Sequence, residues 1–422
     1  MPSLPAPGCG SAKATLAAAT DTAVRPEIIL DLSRLLSRVL HPTPTGVDRV
    51  EMAYARGLIA TAPEGLRFAA VQPSGMYGRL PTAAVLRFLE VTERAWQQDG
   101  DPGGTRQVVR SARALWALRP RRVPRKPDGT RRIYVQASPH HLDRADLVDT
   151  ILRREQAKFL CMVHDLIPIE YPEFARPGGA GLHRRRIATV AAHADVVVTN
   201  SIATQASLAP FLVAAGRAPI VRVAHLGTAW DEVEPLAGEE RAPYFVCVGT
   251  IEPRKNHLLL LNIWRRLVES AQGRPVPKLV LIGRRGWENE QVVDMLERCP
   301  ALSGHVEELG GCPDRRLSAL LRGAAALLMP SFAEGYGMPV AEALSVGTPV
   351  ICSDLPALHE VGGEVPDYLD PLDGPGWRCA VLDHATHGPM RQAQMQRLPL
   401  WHNPGWKEHL AIVAHAIGQL AL

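Results

Sequence analysis

The stretch "PSFAEGYGMPVAEALSVGTPV" (330–350) reads as a strand end, a Gly-rich turn and a helix, with Pro339 near its first turn and Gly347 as its stop. Glu334 sits in the turn and Glu342 eight residues later inside the helix, so the two carboxylates can reach one ligand from different sides. Gly335 and Gly337, flanking Tyr336, let the backbone come close, and free N–H groups at a helix start suit a phosphate. A diol-bearing, phosphorylated ligand fits this arrangement. The plain alternative is a loop and helix whose acids face water.

Working outward, apolar β-rich runs recur at 27–32, 67–72, 132–137, 158–163, 195–200 and 219–224, most of them followed by a stretch of helical period. A second series begins at 244 with "YFVCVG" and continues at 278–283, 305–310, 325–330 and 348–353. Continuous apolar strands separated by helices predict parallel sheets covered on both faces. The fold class is therefore α/β: two tandem, Rossmann-like, doubly wound domains. Between the series, "GTAWDEVEPLAGEERAP" (227–243) is acidic and contains Pro and Gly, as a linker would. Residues 26–230 are expected to form the first domain, 231–243 the linker, 244–400 the second domain, and 401–422 a closing segment. Ligands of such sheets bind at the carboxyl ends of the strands, and two domains facing each other place a cleft there.

A second cluster follows "YFVCVG": Thr250, then Arg254, Lys255, Asn256 and His257. Adjacent cations in a strand-to-helix loop suit a diphosphate, because Lys supplies a point charge and Arg a planar fork. A solvated loop is the other reading of those residues.

Composition removes other classes. The 422 residues carry 47 basic and 43 acidic side chains, a net charge of +4, so no global field argues for nucleic acid. Aromatic residues are 5%, too sparse for the stacking platforms of single-strand binders. The seven cysteines lie singly, without zinc-ligand spacing, as in a reduced cytoplasmic chain. No G-x-G-x-x-G follows a first strand, which argues against a dehydrogenase. Residues 1–25 faintly mimic a signal peptide but have no apolar core of adequate length, and a disordered leader is expected.

The two clusters, in their order and spacing, resemble the family-four glycosyltransferases of the GT-B fold. In the second half the likeness runs almost unbroken through "VGTIEPRKNHLLLLNIW", "LVLIGRRGWENEQV", "LGGCPDRRLSALLRGAAALLMPSFAEGYGMPVAEALSVGTPVICSDLPALHEVGG" and "YLDPLD". In the first half it is sparser, through "TGVDRVEMAYARGL" (45–58) and "MVHDLIPIEYPEF" (162–174), segments similar to those of bacterial mannosyl- and rhamnosyltransferases. The tail "NPGWKEHLAIVAHAI" resembles a final helix that returns to the N-terminal domain.

The resemblance implies a retaining transferase that moves a hexose or deoxyhexose, with GDP-mannose favoured, from a nucleotide-diphosphate sugar to a glycan or polyprenyl-diphosphate-linked acceptor in cell-envelope polysaccharide synthesis. Glu342 would hold the ribose hydroxyls; Arg254 and Lys255 would bind the diphosphate; Glu334 and His164 would lie at the donor sugar. Gly46 would bring a loop close to the donor, helped by Arg49, while backbone at Gly311, Cys312 and Pro313 would meet the nucleobase, with Thr250 in the diphosphate loop. Asp165 would position His164 or its loop. No cofactor is implied, and no D-x-D motif accompanies the donor-site clusters in 244–400, which leaves paired cations in place of a metal. A non-catalytic partner subunit of the same fold, or a nucleotide-sugar epimerase or phosphorylase, stays open as an alternative.

Between Arg106 and Arg132 there are ten basic residues and one acid, Asp128. A Pro-broken stretch of this kind is either a solvated loop or a contact with anionic lipid, which would place a cytoplasmic enzyme at the inner face of the plasma membrane.

Overall fold

The computed structural model describes residues 26–39, 41, 43–72, 75–97, 116–228 and 243–421. The leader (1–25), nearly all of the expected linker and the first part of the basic stretch lie outside them.

The first half builds one seven-stranded sheet from β1 (Glu27–Asp31), β2 (Leu66–Val71), β3 (Tyr77–Leu80), β4 (Arg132–Gln136), β5 (Ala157–Val163), β6 (Val196–Thr199) and β7 (Ile220–Val223). Their spatial order is β3-β2-β1-β4-β5-β6-β7. The second half builds a six-stranded sheet from β8 (Tyr244–Val248), β9 (Lys278–Ile282), β10 (Val306–Leu309), β11 (Ala326–Met329), β12 (Val350–Ser353) and β13 (Asp367–Leu369). These lie in the order β10-β9-β8-β11-β12-β13, all parallel.

Burial explains the continuous apolar runs. In the second sheet Val246, Val280 and Leu327 pack into one core, while Phe245, Leu279, Leu281 and Leu328 pack into another on the opposite face. Both faces are therefore dry, and no polar alternation survives. The expectation of wholly parallel sheets needs one correction. β3 runs antiparallel to β2, because only Gln72–Met76 separate them and so short a connection cannot make a crossover.

The last helix, Trp406–Ala421, packs on the first half of the chain. His409 Nδ1 donates to Ala224 O at 3.0 Å, which leaves Nε2 to accept the Tyr54 hydroxyl at 2.9 Å. Burial pushes His409 down to about 4, so the ring stays neutral in this pairing. At Gly57 a Cβ would lie 2.1 Å from Leu410, so this helix and Gly46–Thr61 touch directly.

Candidate active site

In both sheets the strand order reverses between two neighbours: β1 and β4 in the first, β8 and β11 in the second. Loops leaving such neighbours diverge to opposite faces and open a crevice at their carboxyl ends. In the second domain those two loops are the two clusters singled out in the sequence. The loop after β8 carries Thr250, Arg254 and Lys255; the loop after β11 carries Glu334.

The side chains meet. Lys255 Nζ lies 2.6 Å from Glu334 Oε1, and Arg254 Nη1 lies 2.9 Å from the same oxygen. Arg254 is oriented further by Glu252 Oε1, 2.7 Å from Nη2, and by the Ala333 carbonyl, 2.6 Å from Nη1. Phe332 N donates to Arg254 O at 2.9 Å, so the loops are also joined through backbone. Burial opposes the charge on Glu334, yet Arg254 and Lys255 hold its carboxyl down at about 2. Glu334 is thus ionised at neutral pH, facing the Arg254 and Lys255 side chains at the crevice floor.

Glu342 lies in the helix Met338–Ser345, which starts at Gly337 with φ +100°, a left-handed conformation that suits glycine. The carboxyl is buried, and burial raises it above the ordinary carboxylate range; Asp314 adds to the rise and Arg49 opposes it. Arg49 itself forms a two-pronged pair with Asp314, at 2.7 and 2.6 Å. Its guanidinium therefore ties the helix Gly46–Thr61 to the helix Asp314–Gly323 across the cleft. Gly46 is close to Met338, whose Sδ would sit 3.3 Å from an added Cβ, and Gly311 faces Thr43. Cys312 is buried beside Pro313, which precedes the helix Asp314–Gly323.

On the N-terminal side His164 follows β5 and lies against the motif turn. A Cβ on Gly335 would sit 2.4 Å from His164 O and 2.7 Å from Asp165 Cβ, so only glycine permits the two halves to approach this closely. His164 Nε2 lies 2.7 Å from Ala137 O. A carbonyl only accepts, so Nε2 carries the proton and Nδ1 is left as an acceptor. Burial lowers the pKa of His164, which keeps the ring neutral. Asp165 Oδ1 accepts from Ile167 N at 3.2 Å, at the start of the short helix Ile167–Glu170, and its carbonyl accepts from His183. Its place is consistent with positioning the loop.

Tyr336, expected with its glycine neighbours at the donor, is buried at its ring, and its hydroxyl donates to Leu226 O at 2.7 Å, so the side chain fastens the motif turn to the segment after β7. Several residues of this junction escaped the sequence reading. Glu360 accepts from Ile202 N (2.6 Å) and Ala203 N (2.8 Å), so a carboxylate of one domain caps a helix of the other. Ser201 Oγ donates to Gly335 O at 2.7 Å, and Phe174 stacks on Phe332 at 5.5 Å between ring centres. Contacts over such sequence separations have no local signature.

Among the described residues no group of three His, Cys, Asp or Glu side chains could hold a metal ion, and no helix is long and apolar enough to cross a membrane.

Comparison with known proteins bears on the same segment. Residues 229–364 match the family described as Glycosyl transferases group 1. The chain is 40% identical over 131 residues to O-antigen chain mannosyltransferase B of Escherichia coli, which covers 31% of this chain and 33% of that protein. It is 28% identical over 229 residues to the serotype-specific mannosyltransferase WbdA of Escherichia coli, covering 50% of this chain and 28% of that one. The chain thus spans about a third of the length of the curated relatives it matches. Among solved structures it is similar to sucrose-phosphate synthase from Thermosynechococcus elongatus, with a TM-score of 0.62 at 16% identity, covering 94% of this chain and 99% of that one. Anabaena HepE, solved with UDP and glucose, gives 0.57 at 13% identity, with 94% and 100% covered. The architecture is that of the GT-B glycosyltransferases.

Proposed function

We propose that this chain, which carries a group 1 glycosyltransferase domain within a GT-B architecture, transfers a sugar with retention from a nucleotide-diphosphate donor to an acceptor in cell-envelope polysaccharide synthesis. The observation that carries the reading is the Arg254–Lys255–Glu334 triad at the crevice between β8 and β11. Two fixed cations there would stabilise the charge that grows on the leaving diphosphate, the electrostatic effect that usually dominates such catalysis. Ionised Glu342 would accept both ribose hydroxyls, and His164 Nδ1 would accept a hydroxyl of the donor sugar.

No carboxylate is identified as a nucleophile, so we favour front-face displacement. The acceptor oxygen bonds to the anomeric carbon as the bond to the diphosphate oxygen breaks, and the acceptor proton passes to that diphosphate. GDP-mannose is our preferred donor, since the relatives reported above are named mannosyltransferases. Cationic side chains would serve where other enzymes use a metal. Incubation of nucleotide sugars with a mannose-bearing acceptor in EDTA is expected to yield a glycoside of the donor's anomeric configuration. An isomerised donor, a free sugar phosphate, or turnover abolished by EDTA would contradict the reading.

A peripheral membrane contact is also proposed for the basic stretch. Trp116 is 67% exposed with Arg119 over its ring at 5.2 Å, and Arg121, Arg122 and Arg125 are exposed beside it. Such aromatic and cationic side chains suit an anionic interface. Arg132 does not belong to this surface, because it is buried and paired with Glu155 at 3.4 Å. The full chain is expected to bind phosphatidylglycerol vesicles and to ignore phosphatidylcholine vesicles; equal binding to both would sink the assignment.

A further inference from the structure

A cavity of about 510 Å³ opens between the two domains, away from the donor crevice. Four helices enclose it: Gly46–Thr61 and Thr82–Gln97 of the first domain, Asp314–Gly323 of the second, and the closing helix Trp406–Ala421. Arg49, Ala53 and Arg56 fall at helical spacing, so one stripe of Gly46–Thr61 borders the space, and Glu93, Trp96 and Gln97 do the same on Thr82–Gln97. The size is that of a small-molecule site, about 300–1,000 Å³.

Position separates the cavity from the donor site. None of Lys255, Glu334, Glu342 or His164 lines it. The Arg49–Asp314 pair forms the end nearest the crevice, because Gly46, one turn earlier in the same helix, faces Met338 at the start of the motif helix. Arg56 lies two turns further on, about 10 Å along the helix axis.

The lining combines flat apolar faces with polar groups whose charge is already balanced. Trp96 is buried, and Trp406 is half-buried and held in place. The Trp406 ring meets His409 edge to face at 5.2 Å, and its backbone N would lie 2.1 Å from a Cβ on Gly227. Arg56 Nε is shared by both oxygens of Glu93, at 3.0 and 2.9 Å, just as Arg49 is paired with Asp314. Arg315, the remaining cation of the lining, is exposed. An anion would have to break one of these pairs, whereas neutral hydroxyls can add to them, since a paired carboxylate keeps spare acceptor capacity. Ser318 in the same lining is buried at 1% exposure, and its hydroxyl has no hydrogen-bond partner. A hydroxyl left so costs free energy that a ligand hydroxyl would recover. A ring with a C–H face for an indole and hydroxyls for the polar edge meets both demands.

We infer that this cavity is a second saccharide site, which binds a neutral pyranose, free or as one unit of a glycan, outside the reacting centre. The inference goes beyond the transfer reaction proposed above: the enzyme holds sugar at a place where none reacts. Because the walls come from both domains and the closing helix, the bound sugar also fastens the domains to one another.

The test is an NMR titration of the nucleotide-free full chain with α-linked mannotriose, read at the indole N–H signals of Trp96 and Trp406 and assigned with Trp→Phe variants. Both signals are expected to shift saturably. The affinity should fall roughly tenfold or more in Ala53→Trp, which fills the cavity, and in Arg56→Ala/Gln97→Ala, which strips its polar edge; the indole spectrum reports that each variant is folded. Transfer to a mannose glycoside should be unchanged in both variants. Indoles that ignore mannotriose, an affinity unchanged in both variants, or glucuronate bound more tightly than mannotriose would overturn the inference. Loss of transfer in the two variants would make the cavity the acceptor site and overturn it as well. Methyl α-mannoside binding as tightly as mannotriose assigns the cavity to a free sugar, and tighter binding of mannotriose assigns it to a glycan. A wild-type chain whose indoles respond but which transfers no sugar would strike the proposed function and leave this site standing.

Discussion

Lys255→Ala is expected to lower turnover by roughly 10²- to 10³-fold, the range seen when one preorganised donor to a developing anion is removed. The ammonium is buried at the crevice floor, 2.6 Å from Glu334, and no other Lys lies in the loops that form the crevice. Nucleoside-diphosphate affinity should fall as well, by roughly tenfold or more, because the bond lost is charge-assisted. Steady-state kinetics with the donor varied checks both effects. Lys255→Arg should recover part of the affinity, since the charge is retained.

The same triad sets an acid dependence. Glu334 is depressed to about 2 against an ordinary 4.5, so its stabilisation is present above the ordinary range and is lost as pH falls from about 4.5 toward about 2. That difference corresponds to about 3 kcal/mol, shared among three coupled groups.

Glu342→Gln has the second large effect, and it has two signs. Affinity for the nucleoside diphosphate should fall by roughly 10- to 100-fold, because two hydroxyl bonds to an ionised carboxylate are replaced by weaker ones. Ligand-free stability should rise, because the buried carboxylate no longer has to ionise against its desolvation. Each kcal/mol recovered would appear as about 2–4 °C in Tm for a domain of this size. The pH dependence follows from the raised pKa. Folding stability from protonated Glu342 is full below the ordinary carboxylate range and is lost as pH rises through the shifted value. Nucleotide affinity runs the other way, increasing as the carboxyl ionises, and this pH dependence should vanish in Glu342→Gln. Scanning calorimetry and titration across pH check the pair of effects.

The Arg254–Lys255–Glu334 triad was legible in part because each of its halves is contiguous. Glu334 falls in one turn and Arg254 and Lys255 in one loop, and the strand reversal between β8 and β11 brings the two loops together. The junction between the domains was not readable. Arg49 and Asp314 are 265 residues apart, and Glu360 caps a helix that begins at Ile202. Nothing near either residue signals its partner. Tyr336 illustrates the limit from the other side. It sits inside the most legible motif, yet its ring is buried and its hydroxyl holds Leu226 O, because a motif fixes backbone shape without telling which of its side chains serve packing. β3 was missed because four residues, one of them glycine, make a weak strand signal beside the long apolar runs.

The central claim is that the crevice between β8 and β11 binds a nucleoside diphosphate through Lys255 and Glu342. Calorimetric titration of the full chain with GDP, UDP and dTDP in EDTA tests it most directly. One of the three is predicted to bind at one per chain and to lose roughly tenfold or more of its affinity in both Lys255→Ala and Glu342→Gln. Binding by none of them, or unchanged affinity in the two variants, would contradict the account.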